Sequence, residues 1–222
     1  MKKLWILFSL FAATLPMMAQ QGTLKNEKIF EIKSGKVEYA IEGKTKGTKT
    51  LWFDDYGRLQ CELKKTSTKM FGITTIEETL SIRNKQWMYN INLTDKTGTK
   101  MSIDDAFEMP ETILATSDEQ DLKEIAEELK ESFDAKDVGN ETILGRNCIV
   151  MDIGRLNGRH WRYKGITLKM EVKMGGILGD FIEIATAFDE NISVPASKFE
   201  VPAGIAIQEI QGGVPGLLYE EQ

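Results

Sequence analysis

Histidine is almost missing from this 222-residue chain: His160 is the only one. Without a second, a serine–histidine–acid triad or a histidine-rich metal centre has almost nowhere to form. Cysteine is nearly as scarce. Cys61 and Cys148 show no metal-ligand spacing, and both fall in phase with apolar neighbours, so they read either as one disulfide or as two buried thiols. No glycine-rich phosphate loop joins a strand to a helix. Basic charge is also short. Twenty-eight Lys and Arg against 34 Asp and Glu leave a formal charge of −6, and no basic stripe carries interleaved aromatics, which argues against nucleic acid. No apolar run reaches the roughly 20 residues that span a bilayer, and neither an internal repeat nor a second domain is visible. These absences predict a protein that is not an enzyme and holds no cofactor or metal.

Residues 1–19 have the form of a secretory signal. Lys2 and Lys3 precede an apolar run from Leu4 to Leu15, and Pro16 to Ala19 suits cleavage. Removing the two lysines moves the formal charge to −8, 26 basic against 34 acidic residues. No cysteine follows the apolar run, so the expectation is an exported, soluble chain starting near Gln20 with no lipid anchor. Residues 20–204 then read as one domain and 205–222 as a C-terminal extension.

Most of that domain alternates with a period of two, the mark of strands with one dry face. In His160–Met174, Ile166, Leu168, Met170, Val172 and Met174 point one way and Thr167, Lys169, Glu171 and Lys173 the other. Before the turn at Gly165, Trp161 and Tyr163 share a face, and His160, on the opposite parity, reads as a surface histidine. Upstream, the dry positions are Val37, Tyr39 and Ile41, then Phe53, then Leu59, Cys61 and Leu63. After Leu80 and Ile82 come Trp87, Tyr89 and Ile91. Residues 54–57 (Asp-Asp-Tyr-Gly) suit a hairpin turn. One strand covers Glu141–Ile153 with a kink at Gly145. Phe181–Phe188 is another, and Phe199 anchors a closing segment. Glu78 breaks the pattern: it shares parity with Ile76 and Leu80, so it sits at a bulge or edge, or lines a cavity as a paired acid.

Between residues 104 and 137 the period changes. Residues 117–120 (Ser-Asp-Glu-Gln) form a capping box. Leu122, Ile125, Ala126, Leu129 and Phe133 follow at helical spacing and predict one amphipathic helix that packs on the sheet. By parity the sheet has about twenty inward apolar positions, and one helix covers about ten. The tail, the N-terminal segment, a partner or a ligand must hide the remainder.

The stretch from Trp161 to Lys169, WRYKGITLK, resembles the hairpin of proteins related to the periplasmic lipoprotein carriers LolA and LolB. Residues 145–148 (Gly-Arg-Asn-Cys), 184–186 with 189–191, and 199–204 (Phe-Glu-Val-Pro-Ala-Gly) are similar to the family's flanking elements. The resemblance runs from Val138 to Gly204, and more loosely over Ser34–Leu93. It implies an α+β fold: a strongly curved antiparallel sheet, an unclosed half-barrel, with one main helix and short helical segments across its concave face. It also implies a periplasmic carrier or binding protein for a lipid or acylated protein. The expected apolar cavity is lined by Val37, Tyr39, Ile41, Phe53, Leu59, Leu80, Trp87, Tyr89, Ile91, Leu122, Ile125, Leu129, Phe133, Trp161, Tyr163, Leu168 and Met170, with Glu78 as its polar member. The other expectation is an envelope interaction module with a filled core and no cargo.

Overall fold

The computed structural model describes residues 28–103, 131–175 and 179–210. Twelve strands form one sheet: β1 Gly35–Gly43, β2 Thr45–Asp54, β3 Leu59–Met70, β4 Ile73–Arg83, β5 Trp87–Asn92 and β6 Thr97–Ser102 precede residues 104–130. After them come β7 Ala135–Ile143, β8 Arg146–Ile153, β9 Gly158–Tyr163, β10 Ile166–Lys173, β11 Asp180–Glu190 and β12 Ala206–Glu209. The spatial order is β12-β6-β5-β4-β3-β2-β1-β11-β10-β9-β8-β7, so the two ends do not meet. All neighbours run antiparallel except β12, which adds parallel to β6.

This corrects the α+β expectation. The described residues form an open β-sheet with short 3-10 turns and no helix of seven residues or more. The helical pattern of Leu122, Ile125 and Leu129 lies outside the described residues. Among the described residues, apolar side chains of the sheet are covered by residues 28–34 on one face and by residues 192–207, which include a short 3-10 turn and the start of β12, on the other. Other boundaries move as well. The expected kink at Gly145 is a two-residue turn, with Leu144 and Gly145 both at positive φ, and it separates β7 from β8. Strand β6, Thr-Gly-Thr-Lys-Met-Ser, carries no apolar alternation, and only its threonines favour a strand.

The sheet is strongly curled. Five inter-strand steps separate β3 from β9, about 24 Å in a flat sheet at roughly 4.8 Å per step. Yet Gln60 and Glu62 of β3 line the same small cavity as His160 of β9 and Met170 of β10.

The apolar side of the sheet changes face between β2 and β3. On the concave face Leu51 lies opposite Glu62, and Phe53 opposite Gln60; on the other face Trp52 lies opposite Cys61. The concave face is therefore apolar across β1, β2 and β11 and polar along β3. One core cluster joins Val37, Tyr39, Leu51, Phe53, Ala185 and Phe188 to Cys148, Val150, Trp161, Ile166 and Leu168, with Phe30 and Ile32 laid over them. The second cluster, on the opposite face, contains Cys61, Leu80, Ile82 and Ile91, and Val194 and Phe199 cover it with help from Val201, Ile205 and Ile207. Cys61 and Cys148 occupy different clusters as free buried thiols.

Candidate functional site

Residues 28–34 form a strap across the mouth of the curl. They belong to no strand, so their backbone groups find partners at two hairpin turns instead. The amides of Ile29 and Phe30 both donate to the Tyr56 carbonyl at 2.9 Å, and the Glu31 amide donates to the Lys164 carbonyl at 3.2 Å. The Tyr56 amide returns a bond to the Lys33 carbonyl at 2.9 Å. At the far end the Ser34 hydroxyl donates to the Ile192 carbonyl at 2.7 Å. Two glycines make room for the strap. A Cβ on Gly57 would stand 2.7 Å from the Phe30 ring, and one on Gly165 would stand 2.6 Å from the Ile29 oxygen. Both glycines have positive φ, +82° and +85°. The strap thus delivers Phe30, edge-on to Phe53 at a centroid distance of 5.0 Å, into the concave face.

Beneath Phe30 lies a charged floor. Lys49 is 6% exposed and pairs with Glu183, 4% exposed; Glu62 stands 3.5 Å from the same ammonium. The Tyr39 ring packs 4.1 Å from Lys49 Nζ, and its hydroxyl donates to the Thr167 carbonyl at 3.0 Å. Four strands, β3, β2, β1 and β11, contribute to this row. Burial alone would lower the Lys49 pKa, but the carboxylates of Glu183 and Glu62 outweigh it and hold the ammonium well above its ordinary range. Burial raises the Tyr39 phenol, which stays neutral. His160 completes the ring. Burial, and secondarily the Arg162 guanidinium, push its imidazole down to about 4. The expected surface histidine is therefore a half-buried neutral group lining the cavity.

That cavity has a volume of about 50 Å³ and is walled by Phe30, Leu51, Ile166 and Met170 as well as by the charged groups. It has room for a few waters, far below the roughly 300 Å³ at which small-molecule sites begin. A larger cleft of about 280 Å³ lies at the other end of β9 and β10, among Asp152, Arg159, Glu171 and Lys173. It is polar and open. Asp152 and Arg159 pair there, and the bond to Arg159 holds the Asp152 carboxyl below its usual range.

The expected cavity residues fall into several places. Val37, Tyr39, Phe53, Trp161 and Leu168 join in the concave cluster, with Tyr163 against its margin. Ile41 belongs to a small neighbouring cluster with Val172 and Phe181, and Met170 packs on it. Leu80 and Ile91 are in the opposite cluster, with Leu59 and Tyr89 against it. Trp87 lies under the Lys100 ammonium, 4.0 Å from its ring centroid. Phe133 is half-buried just before β7. Glu78 lines neither of these two cavities and pairs with Lys65, its ladder neighbour, at 2.9 Å near the solvent. Leu122, Ile125 and Leu129 lie outside the described residues. Phe30, Lys49, Glu62 and Glu183 were absent from the expected set. Lys49 shares parity with Leu51 and Phe53, and Glu183 with Phe181 and Ala185. A lysine and a glutamate at dry positions were the visible sign of a buried pair.

One apolar surface is left bare. The β3–β4 hairpin extends past the β1–β2 turn, which reaches only the level of Thr68. Near its tip Phe71 is 83% exposed, Ile73 70% and Ile76 72%. Lys46 and Lys69 stand exposed along it, and Lys65 nearer its base is paired with Glu78. Among the described residues no helix is long and apolar enough to cross a membrane, and no cluster of His, Cys, Asp and Glu is suited to a metal.

The molecule so defined is an open, curled sheet with a plugged concave face. No protein-family model and no curated protein matches the chain, so the carrier family expected from the hairpin motifs gains no sequence match. Among solved structures, an uncharacterised conserved protein from Thermus thermophilus aligns at TM-score 0.49 and 9% identity, over 84% of this chain and 95% of that one. MucB of the Pseudomonas aeruginosa MucA/MucB complex aligns at 0.41 and 14%, over 83% of this chain and 61% of that one. LprF from Mycobacterium bovis aligns at 0.33 and 10%, over 73% and 89%. At these scores and identities the likenesses assign no family, ligand or activity.

Proposed function

We propose that this is a non-catalytic binding protein of the bacterial periplasm whose ligand is a lipid or an acylated protein. The observation that carries the reading is the β3–β4 hairpin, an exposed apolar tip flanked by Lys46 and Lys69 on a chain whose net charge is negative. Three large apolar side chains so exposed are costly in water, and burying each in an acyl layer is worth on the order of 2 kcal/mol. Each lysine near an anionic surface adds about 1 kcal/mol. Together they suffice for reversible contact with lipid, the first step of taking up or delivering an acylated cargo.

The test is co-sedimentation with vesicles of phosphatidylglycerol and phosphatidylcholine. Wild-type protein is expected to bind. The triple variant Phe71→Ser, Ile73→Ser, Ile76→Ser is expected to keep its fold and lose at least tenfold in affinity. Equal binding by the two proteins, or none by the wild type, rejects the reading. The filled-core module remains the second reading, because the protein's own segments cover both core clusters. Native mass spectrometry of protein purified without detergent separates the two: co-purifying lipid supports the first, and a second polypeptide on a lipid-free protein supports the module.

A further inference from the structure

We infer that the outer edge of β6 is an acceptor groove for an extended peptide, and that the chain's own β12 occupies it in cis. The partner it fits is a parallel strand with a branched aliphatic side chain followed two residues later by a carboxylate. The inference goes beyond the lipid-binding reading and does not depend on the β3–β4 hairpin. How β12 is held shows what the groove recognises. It makes the one parallel pairing in the described sheet, in register from Ala206 against Thr97 to Glu209 against Lys100. The Ala206 amide donates to the Lys96 carbonyl at 3.0 Å and the Ile210 amide to the Lys100 carbonyl at 2.9 Å. Such backbone bonds give affinity to any extended segment, and alternate side chains give the selection. Two side chains do so here. Ile207 lies against Gly98, where a Cβ would stand 3.0 Å from Ile207 Cδ1, so the missing side chain makes the seat. Glu209 pairs at 2.8 Å with Lys100, the only charged residue of β6, whose ammonium also lies over the Trp87 ring. Ala206 and Gln208 are exposed and select nothing.

The hold is weak enough to exchange. β12 spans four residues at the sheet's edge, so its departure breaks a single ladder, and parallel pairing is the less stable kind. Glu209 is exposed, so its ion pair adds preference rather than anchorage. Just upstream, the turn at residues 203–204 serves as the hinge: Gly204 has φ +82° and open space around it. Residues 206–210 can therefore leave while Val194, Phe199 and Val201 stay on the second patch. Once they leave, Thr97–Lys100 presents unpaired amides and carbonyls beside one apolar seat and one cation, a template for strand addition.

The probe is a fluorescein-labelled synthetic peptide, GIAIQEI, the sequence of residues 204–210. It is titrated onto the full chain and read by fluorescence anisotropy and amide hydrogen exchange. Ile207→Ser, which weakens the strand held in cis, is expected to bind the peptide at least tenfold more tightly than wild type. Saturating peptide should speed exchange at the wild-type chain's own Ala206 and Ile210 amides at least tenfold while β4 and β5 amides stay protected. The reversed peptide, IEQIAIG, and a peptide with serine in place of the second isoleucine should each bind at least tenfold more weakly. Adding Lys100→Glu to Ile207→Ser should abolish binding of GIAIQEI and transfer it to the peptide GIAIQKI. Should Ile207→Ser fail to fold, exchange on the wild-type protein still decides the matter. Equal binding by wild type and variant, equal binding of forward and reversed peptides, or no binding of any peptide overturns the inference. So does binding with Ala206 and Ile210 undisturbed, which would mean that the peptide adds outside β12.

Discussion

At the scale of single residues, the concave face shows how burial and charge compete. Lys49 and Glu183 are each almost fully buried, and each is tolerable only because of the other. Removing one partner of such a pair leaves an unpaired charge at a cost of about 3–5 kcal/mol, while exchanging both for apolar residues is often neutral. This pair is thus a weak source of stability and a strong source of position. His160 makes a sharper statement. Its folded pKa of about 4 lies below the unfolded value near 6.5. The unfolded chain therefore binds the extra proton first, and the stability tied to neutral His160 is whole above pH 6.5 and is lost as pH falls toward 4. Between pH 6.5 and 5, before most carboxylates titrate, the loss should be on the order of 1–2 kcal/mol. Urea denaturation across that window should show the decline in wild type and a flatter profile in His160→Gln. A matching decline in the variant would assign it to other groups.

At the scale of elements, strap and hairpins depend on each other. The turn at Lys164–Gly165 closes β9 on β10 and also accepts the strap's Glu31 amide, so one two-residue turn does two jobs. Gly165→Ala places a methyl group 2.6 Å from the Ile29 oxygen in a left-handed backbone. The expected result is a strap that detaches before the sheet melts: exchange at Phe30 and Glu31 should rise at least tenfold, with ladder amides of β1 and β2 unchanged. Uniform loss of protection would show instead that the strap and sheet unfold together. Much of this level was legible beforehand. Alternation in Lys36–Glu42 and Ile166–Met174 located β1 and β10, and Asp, Gly and Asn located turns. The strap was not legible, because a segment without periodicity is recognisable only by what it lies against. β6 was missed for the same reason: its side chains have no dry face to report.

At the scale of the whole molecule, stability comes from covering two apolar patches on opposite faces of one sheet. The second patch depends on the segment from Val194 to Ile207, and β12 fastens the end of that segment to β6. Cys61 lies inside it, and burial pushes its thiol up to about 11. It should resist alkylation at pH 8, since the thiolate is the reactive form. Truncation after Gly204 removes Ile205, Ile207 and β12, and should cost about 2–3 kcal/mol from the lost apolar burial. Iodoacetamide labelling followed by peptide mapping should then find Cys61 exposed while Cys148, in the other cluster, stays protected. Equal protection of both thiols would show that the tail does not seal the patch.

The amino-acid order by itself determined many of the local choices: where the strands with one dry face run, and where the chain reverses between them. Those follow from side-chain period and backbone sterics, which act over a few residues. Only the tertiary structure decided which face each strand keeps dry. Parity shows that Leu51 and Cys61 are both buried, but ladder register and curl place them on opposite sides. It also decided that the N-terminal segment plugs the hollow, because burial over such distances depends on which elements meet in space.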